Sequence, residues 1–359
     1  MQASVLTEFG QALTVEDVDI DEPRPNEVIV RVAASGLCHS DVTILQGNML
    51  GRSYVPAVLG HEVAGVVERV GSAVTEFGPG DHVVGCNSRY CGKCPQCLDG
   101  LTYLCSNRSV IARDRPRLTL DGVEVAQAGQ LGGFAELLLV GEDTLVKVPK
   151  ELPLDRAALL SCAALTGYGS VVNGAQVKAG TKVAVFGCGG VGLNVIQAAA
   201  LAGARQVVAI DISEEKLELA RVFGATDLVD ARRGETVAEV LALTGGVDYV
   251  FECIGLPSAI AEGIRILRPG RTAYAVGVPR TGVSLEVPGA EFIFGGKGLR
   301  GLFMGSNNFK RDIPILADLY LRGKFKLDEL IGERIALDQL NEAVTRMEGG
   351  GIARSVVVF

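Results

Sequence analysis

The feature that most constrains the fold of this chain is a glycine-rich turn between a strand-like run and a helix-like run. The apolar residues Val183–Phe186 lead into the turn Gly187-Cys-Gly-Gly-Val-Gly192. Such a turn lets the backbone approach a pyrophosphate and presents free N–H groups at the start of the next helix. A second strand-like run ends in Asp211, 19 residues after Gly192, where a carboxylate accepts from ribose hydroxyls and repels a 2′-phosphate. The pattern predicts a βαβ unit that binds NAD rather than NADP.

The same alternation of strands and helices continues through the second half of the chain. Strands are predicted at Lys182–Phe186, Gln206–Ile210, Asp248–Glu252 and Thr272–Val276. Ser213 is predicted to cap the helix after the second of these strands. The uncharged stretch Val183–Ala204 contains five glycines and changes its period midway, so we expect no transmembrane helix there. Together these residues predict a doubly wound parallel sheet.

Short strand-like runs fill the part of the chain before Cys162. Glu27–Ala33 alternates in polarity, Val63–Val70 is a second run, and Gly78–Asp81 carries a turn signal. The chain ends in another strand-like run, Ser355–Phe359. A small barrel or sandwich is predicted here, separate from the parallel sheet.

Composition narrows the classes of function. The 359 residues include 34 basic and 42 acidic side chains, a net charge of −8, which leaves no electrostatic footprint for nucleic acid or an anionic membrane. The first residues have neither the basic segment nor the apolar core of a signal peptide, so we expect a cytoplasmic protein. Disulfides rarely persist in the cytoplasm, and the nine cysteines therefore indicate metal binding or catalysis.

Four of these cysteines lie close together, with the spacing C-x2-C-x2-C-x7-C: Cys91, Cys94, Cys97 and Cys105. Four thiolates on short loops surround one ion tetrahedrally and leave no open position, which predicts a structural zinc site. An iron–sulfur cluster is the alternative.

Three other residues have the donor types of a catalytic zinc site: Cys38, His61 and Cys162. Two thiolates and an imidazole leave the fourth zinc position for water or substrate. The three lie 23 and 101 residues apart, so spacing alone does not join them.

The chain resembles the zinc-dependent medium-chain alcohol dehydrogenases, in particular the class I and class III enzymes, over nearly its whole length. The resemblance rests on Gly60-His-Glu62-x2-Gly65-x5-Gly71, the four-cysteine segment, the glycine turn and Asp211. It implies a GroES-like β-barrel catalytic domain formed by residues 1–162 and 303–359, with a structural zinc lobe at about residues 86–106. A Rossmann NAD-binding domain, residues 163–302, would be inserted between them.

The resemblance also implies roles for individual residues. Cys38, His61 and Cys162 would bind the catalytic zinc, and the four-cysteine segment the structural one. Asp41 would orient His61, and Glu62 would lie behind the metal. Cofactor contacts are implied for His39, Thr166, Gly187, Gly189, Gly190, Val191, Gly192, Asp211, Lys216, Ile254, Val276, Val278 and Arg354. The implied cofactors are two zinc ions per chain and NAD.

The implied reaction is hydride transfer between an alcohol and the nicotinamide, with zinc lowering the pKa of the alcohol. Ser40 would accept the proton first. In many family members a histidine five residues after the first zinc cysteine continues the relay, whereas this chain has Thr43 there. Threonine does not hold a proton near neutral pH, so water or a route past His39 must complete the relay.

The substrate pocket is expected to be wide or polar on one side. Asn87 stands four residues before Cys91, where some family members have a large aromatic residue. Primary aryl or terpenoid alcohols are therefore the predicted substrates. The alternative is a glutathione-dependent formaldehyde dehydrogenase, which has both zinc sites. A non-catalytic redox sensor that binds NAD and zinc is the alternative from another class.

The apolar segment Leu299–Met304 is predicted to be an edge strand or an interface segment, because family members pair their Rossmann sheets there. A homodimer or homotetramer is expected. Cys86, Cys188 and Cys253 are expected to be packing residues.

Overall fold

A computed structural model of the chain describes residues 1–48, 55–107, 117–350 and 354–359. Its strands are β1 (Gln2–Leu6), β2 (Thr14–Asp17), β3 (Asp19–Ile20), β4 (Glu27–Gly36), β5 (Ala57–Val58), β6 (Glu62–Val70), β7 (His82–Gly85), β8 (Leu118–Leu120), β9 (Val123–Gln127), β10 (Leu137–Gly141), β11 (Leu145–Lys147), β12 (Lys182–Phe186), β13 (Gln206–Asp211), β14 (Asp227–Asp230), β15 (Val247–Glu252), β16 (Leu267–Ala275), β17 (Gly298–Gly301), β18 (Ile331–Ile335) and β19 (Arg354–Val358). Its α-helices are α1 (His39–Leu45), α2 (Pro95–Leu98), α3 (Leu154–Ala158), α4 (Ala163–Gly169), α5 (Gly190–Leu201), α6 (Glu214–Val222), α7 (Thr236–Thr244), α8 (Pro257–Ile266), α9 (Gly289–Phe294), α10 (Phe309–Leu321) and α11 (Leu340–Glu348).

The chain forms two compact units. The first consists of Met1–Cys162 together with Asn308–Phe359, and the second consists of Ala163–Asn307. The second unit is thus an insertion in the first.

A mixed sheet with the order β11-β7-β6-β4-β19-β18 forms the centre of the first unit, and β10 also pairs with β4. The predicted strands at Glu27–Ala33 and Val63–Val70 are confirmed as parts of β4 and β6. Val28, Val30 and Val32 alternate along β4 and enter one buried apolar cluster. β19 pairs with the end of β4, so a strand made after the whole second unit completes this sheet.

A second sheet in the first unit has the order β2-β1-β5-β9-β8-β3. Its apolar face belongs to a separate buried cluster that includes Leu6, Leu118 and Phe134. Each residue in these strands points to the face opposite its neighbour, which is why short apolar runs suffice to form the core.

The second unit contains a parallel sheet with the order β14-β13-β12-β15-β16-β17. Numbered within the unit, this order is 3-2-1-4-5-6, the doubly wound arrangement that binds dinucleotides. Val183–Phe186 of β12 are fully buried, as expected for a central strand with helices on both faces. Ser213 caps α6 as predicted, because its hydroxyl accepts the Lys216 N–H at 3.4 Å.

The segment Leu299–Met304 is only partly a strand. β17 ends at Gly301, and Met304 (φ 49°), Gly305 (φ 65°) and Ser306 (φ 53°) follow shortly after it in left-handed conformations that do not continue a strand. Val183–Ala204 divides into β12, the glycine turn and α5 with the residues after it. Among the described residues, we find no helix with the length and apolar character to cross a membrane.

Candidate active site

The first unit brings four potential metal ligands together: Cys38, His61, Glu62 and Cys162. One ligand atom from each lies within 4.8 Å of the others. The pairing of Gly36 with Glu62 across β4 and β6 places the residues that follow β4 beside those that precede β6. Leu159, three residues before Cys162, packs against Gly36. Strand register and helix packing therefore assemble a cluster that sequence spacing does not show.

Asp41 holds two of these ligands in place. Its Oδ1 lies 3.0 Å from His61 Nδ1 and accepts the Gly60 N–H at 3.2 Å, while its Oδ2 accepts the Cys38 N–H at 3.1 Å. The carboxylate is buried, so these contacts are not shared with solvent. Because Nδ1 is taken, Nε2 is the nitrogen that His61 offers to a metal.

Arg354 compensates the charge of Glu62. Its Nη2 lies 3.3 Å from Glu62 Oε1 and 3.7 Å from Cys38 Sγ, and its Nη1 donates to the Leu37 carbonyl at 3.3 Å. Glu62 is 0% exposed, and neither of its oxygens accepts a hydrogen bond from a described residue. Burial raises the pKa of Glu62 to about 7, although the Arg354 charge opposes this rise.

The donor set fits zinc. A hydrogen bond with Cys162 lowers the pKa of Cys38 well below its usual value, and the same contact raises the pKa of Cys162. Burial acts to lower the pKa of His61, but Asp41 and Cys38 together outweigh it and the pKa is raised. Zinc binds thiolate and neutral imidazole, so binding would release the protons that these groups hold. Two sulfurs and one nitrogen would leave a fourth position for Glu62, water or substrate.

The residues after Cys38 form the first turn of α1. The Ser40 hydroxyl lies 3.8 Å from Cys38 Sγ, and His39 is exposed. Thr43 donates its hydroxyl proton to the His39 carbonyl at 2.9 Å. The Ser40 hydroxyl thus lies beside a predicted metal ligand, whereas the hydroxyl proton of Thr43 is hydrogen-bonded to the backbone.

Asn87 lies on the same side as His61. A Cβ built on Gly129 would be 3.6 Å from Asn87 Cβ and 3.7 Å from His61 Cβ. The side chain of Asn87 is half-buried. A polar group therefore stands close to a predicted zinc ligand.

The second cluster consists of Cys91, Cys94, Cys97 and Cys105, whose sulfurs also lie within 4.8 Å of one another. Gly92 between the first two has φ 73°, which permits the tight reversal. Cys94 precedes α2, and Pro95 occupies its first position. The Lys93 backbone N–H lowers the pKa of Cys91, and the Cys91 N–H lies 3.3 Å from Cys105 Sγ. N–H groups directed at sulfur are suited to thiolates that hold a metal.

In the second unit, the glycine turn connects β12 to α5. Gly187 has φ 90°, and Gly189 precedes the helix. A Cβ on Gly192 would collide with the Gly187 carbonyl oxygen, so only glycine fits there. The N–H groups at the start of α5 are therefore open to a phosphate.

Asp211, at the end of β13, is tied to this turn. Its Oδ2 accepts the Cys188 N–H at 2.7 Å, and its Oδ1 accepts the N–H groups of Ile212 and Ser213 at 2.7 and 3.0 Å. The carboxylate is half-buried and retains lone pairs for further donors. Burial raises the pKa of the Cys188 thiol, and the positive charge of Lys216 opposes this rise.

Exposed apolar side chains border the carboxyl ends of these strands. Ile212 is 66% exposed, Ile254 47% and Val278 69%. Val276 is half-buried, and Thr166 is buried on α4, where its backbone contacts Gly305. Apolar residues left open beside a glycine turn are suited to the flat rings of a dinucleotide.

Glu252, a buried carboxyl group at the end of β15, was not among the predicted site residues. An acidic residue that closes an apolar strand and is followed by Cys-Ile-Gly is the signal that could have identified it. Cys86 and Cys188 are buried as expected, whereas Cys253 is partly exposed.

Two family models of known proteins match this chain. The family model described as an alcohol dehydrogenase GroES-like domain matches residues 24–150, and that described as a zinc-binding dehydrogenase matches residues 190–319. The chain is 35% identical to geraniol dehydrogenase of Carpoglyphus lactis, covering 100% of this chain and 97% of that protein. It is 32% identical to S-(hydroxymethyl)glutathione dehydrogenase of Paracoccus denitrificans, covering 100% and 99%. Among solved structures, benzyl alcohol dehydrogenase from Acinetobacter calcoaceticus superimposes with a TM-score of 0.93 at 32% identity, covering 100% and 99%.

Proposed function

Because this chain belongs to the zinc-dependent medium-chain alcohol dehydrogenase family, and is an NAD- and zinc-dependent alcohol dehydrogenase, we propose which of its residues carry the reaction. Cys38, His61 and Cys162 hold the catalytic zinc, and the four-cysteine cluster holds the structural zinc. The observation that carries this assignment is the convergence of buried sulfur and imidazole donors, with His61 fixed through Nδ1 by Asp41.

When bound, zinc supplies a Lewis acid that lowers the pKa of the alcohol hydroxyl. Ser40, 3.8 Å from Cys38 Sγ, accepts the released proton. Thr43 does not donate its hydroxyl proton to the next group of the relay, because this proton is hydrogen-bonded to the His39 carbonyl oxygen. Water or His39 receives the proton next.

Cofactor binding is assigned to the second unit. The turn Gly187–Gly192 takes the pyrophosphate, and Asp211 takes the ribose hydroxyls. Lys216, Thr166, Ile254, Val276 and Val278 border the rest of the dinucleotide. Contacts of His39 and Arg354 with the pyrophosphate stay predictions.

The assignment of the zinc ligands is tested with Cys38→Ala and a matched cysteine variant. Cys86→Ala removes a buried cysteine that belongs to neither cluster. We expect Cys38→Ala to retain one zinc per chain and to lose reduction of NAD at 340 nm, whereas Cys86→Ala retains two zincs and turnover. Two zincs and full activity in Cys38→Ala would contradict the assignment.

The proposed substrates are bulky primary alcohols of the aryl or terpenoid class. Asn87, near His61, is smaller than the large aromatic residue that some family members have at this position, and two relatives are named for geraniol and benzyl alcohol. We expect kcat/KM to be higher for these alcohols than for ethanol, and Asn87→Phe to reduce that preference. Equal or higher kcat/KM for ethanol would refute the substrate class, and activity restricted to S-hydroxymethylglutathione would favour the glutathione-dependent alternative.

We also propose a cytoplasmic homodimer, or a tetramer built from two such dimers. β17 is the outer strand of its sheet, and nearby Ile293 and Phe294 are 74% and 91% exposed. Six of the nine cysteines lie in the two predicted zinc clusters, and thiols that bind metal suit a reducing compartment. Phe294→Glu is expected to lower the mass measured by light scattering, and an unchanged mass would argue against this interface.

A further inference from the structure

The residues that follow three neighbouring strands, β12, β15 and β16, pack closely against one another at glycine positions. A Cβ on Gly187 would lie 2.6 Å from Ile254 Cγ1, and one on Gly255 would lie 2.5 Å from the Val278 carbonyl oxygen. A Cβ on Gly277 would collide with the Gly255 nitrogen. The turn after β15 therefore lies against the glycine turn on one side and against the end of β16 on the other.

Glu252 holds this turn from within. It is 1% exposed, and its Oε1 accepts three backbone N–H groups, those of Ile254 at 2.8 Å, Gly255 at 2.7 Å and Leu256 at 3.2 Å. Its own carbonyl accepts the N–H groups of Val276 and Gly277, both at 2.8 Å. Glu252 thus links the turn 253–256 to the end of β15 through its side chain, and links β15 to the end of β16 through its backbone carbonyl.

We propose that Glu252 is a positioning residue for the dinucleotide: through the turn 253–256, it places Ile254 against the glycine turn and so sets the affinity for NAD(H). The side chain is buried, so it acts through the turn and not by touching the cofactor. The inference rests on the proposed assignment of the cofactor site to this strand edge.

The chemistry of the carboxyl group defines what a replacement must retain. Burial raises the pKa of Glu252, and the three N–H groups oppose the rise. Protonation at Oε2 would leave Oε1 an acceptor, so the turn needs an acceptor oxygen and not a charge. Glutamine retains that oxygen, whereas leucine has a similar size and leaves the three N–H groups without it.

Asp248 provides a matched control at the opposite end of the same strand. It is also buried, accepts the Lys182 N–H at 2.9 Å, and pairs with Arg268 at 3.0 Å and Arg271 at 3.2 Å. Asp248→Leu therefore removes a comparable polar anchor from the second unit without altering the turn 253–256.

The experiment measures NADH binding by fluorescence, with zinc content and melting temperature recorded for each zinc-loaded variant. We expect Glu252→Leu to raise the Kd for NADH at least tenfold, a loss of about 1.4 kcal/mol or more, while kcat at saturating NAD and both zincs are retained. Glu252→Gln should stay within about threefold of the parent. Asp248→Leu should lower the melting temperature and leave the Kd unchanged.

Two results would overturn the inference: an unchanged Kd in Glu252→Leu, or an equal rise in Asp248→Leu, which would make the effect one of general stability. If Glu252→Leu does not fold, Glu252→Asp takes its place, since the shorter side chain does not reach all three N–H groups and should raise the Kd by about threefold or more. A parent protein that does not bind NADH would instead refute the proposed cofactor site.

Discussion

Replacing Arg354 by methionine tests whether the buried Glu62 carboxylate is stabilised by a single positive charge. Glu62 is 0% exposed, and the Arg354 guanidinium at 3.3 Å is the cation that lies against it. Methionine retains the apolar part of the side chain and, at about pH 9, leaves a carboxylate without its counter-charge, because the Glu62 pKa is about 7 with Arg354 in place. Protonation of Glu62 limits the cost to about 1.4 kcal/mol for each pH unit above that pKa, or about 3 kcal/mol. For a unit of this size, that loss lowers the melting temperature by on the order of 10 °C.

The assay compares four variants by thermal unfolding at about pH 9, with zinc measured in each: Arg354→Met, Glu62→Gln, the two combined, and Arg334→Met. Glu62→Gln combined with Arg354→Met removes both charges, so most of the lost stability should return. Arg334→Met is the control, because Arg334 pairs with Asp155 at 2.7 Å but is 46% exposed, and its loss should cost under about 1 kcal/mol.

Additive effects of Glu62→Gln and Arg354→Met would refute the reasoning, because a coupled pair must show a favourable interaction in the double variant. A melting temperature for Arg354→Met equal to that of Arg334→Met would refute it as well.

Three further predictions concern the other sites. Gly192→Ala should weaken NADH binding at least tenfold, because the new Cβ would collide with the Gly187 carbonyl oxygen. In the control Gly289→Ala the new Cβ has open space around it, so this variant should bind NADH normally. Equal NADH binding by the two variants would contradict the packing argument. Cys97→Ser should reduce the zinc content from two to one per chain and lower the melting temperature, and retention of two zincs would exclude Cys97 as a ligand. Ser40→Ala should lower kcat by about a hundredfold with both zincs retained, and an unchanged kcat would remove Ser40 from the proton path.

Four strands of the parallel sheet are predicted by the sequence because each is a local signal, whereas β14 was not predicted and β16 begins five residues before the predicted Thr272. β12 has the predicted bounds, Lys182–Phe186, and Gln206–Ile210 and Asp248–Glu252 each fall one residue short of β13 and β15. Apolar runs that are buried on both faces and end at glycines or charges identify themselves. The end of β17 was harder to predict, since the left-handed residues that follow it include Met304 and Ser306, which favour no such conformation.

The side-chain pairs at the zinc cluster could not be predicted from spacing. Cys38 and His61 meet through the register of β4 against β6, and Glu62 meets Arg354 because β19 pairs with β4. Strand register over such sequence distances depends on the packing of the whole sheet. Glu252 was missed for another reason: its partners are the N–H groups of its own turn, and backbone donors have no signature in the residue letters.

The pairing of β19 with β4 also orders events during synthesis. The ribosome makes β4, Glu62 and Cys162 first, then the whole second unit, and only afterwards the strand that carries Arg354. Until that strand emerges, β4 is paired only with β6 along Ala34–Gly36, and the Glu62 carboxylate lacks the Arg354 charge. All strands of the inserted unit are synthesised before β19, so this unit can fold while the sheet of the first unit is still incomplete. In the nascent chain, the nucleotide-binding half is therefore finished before the metal-binding half that begins the sequence.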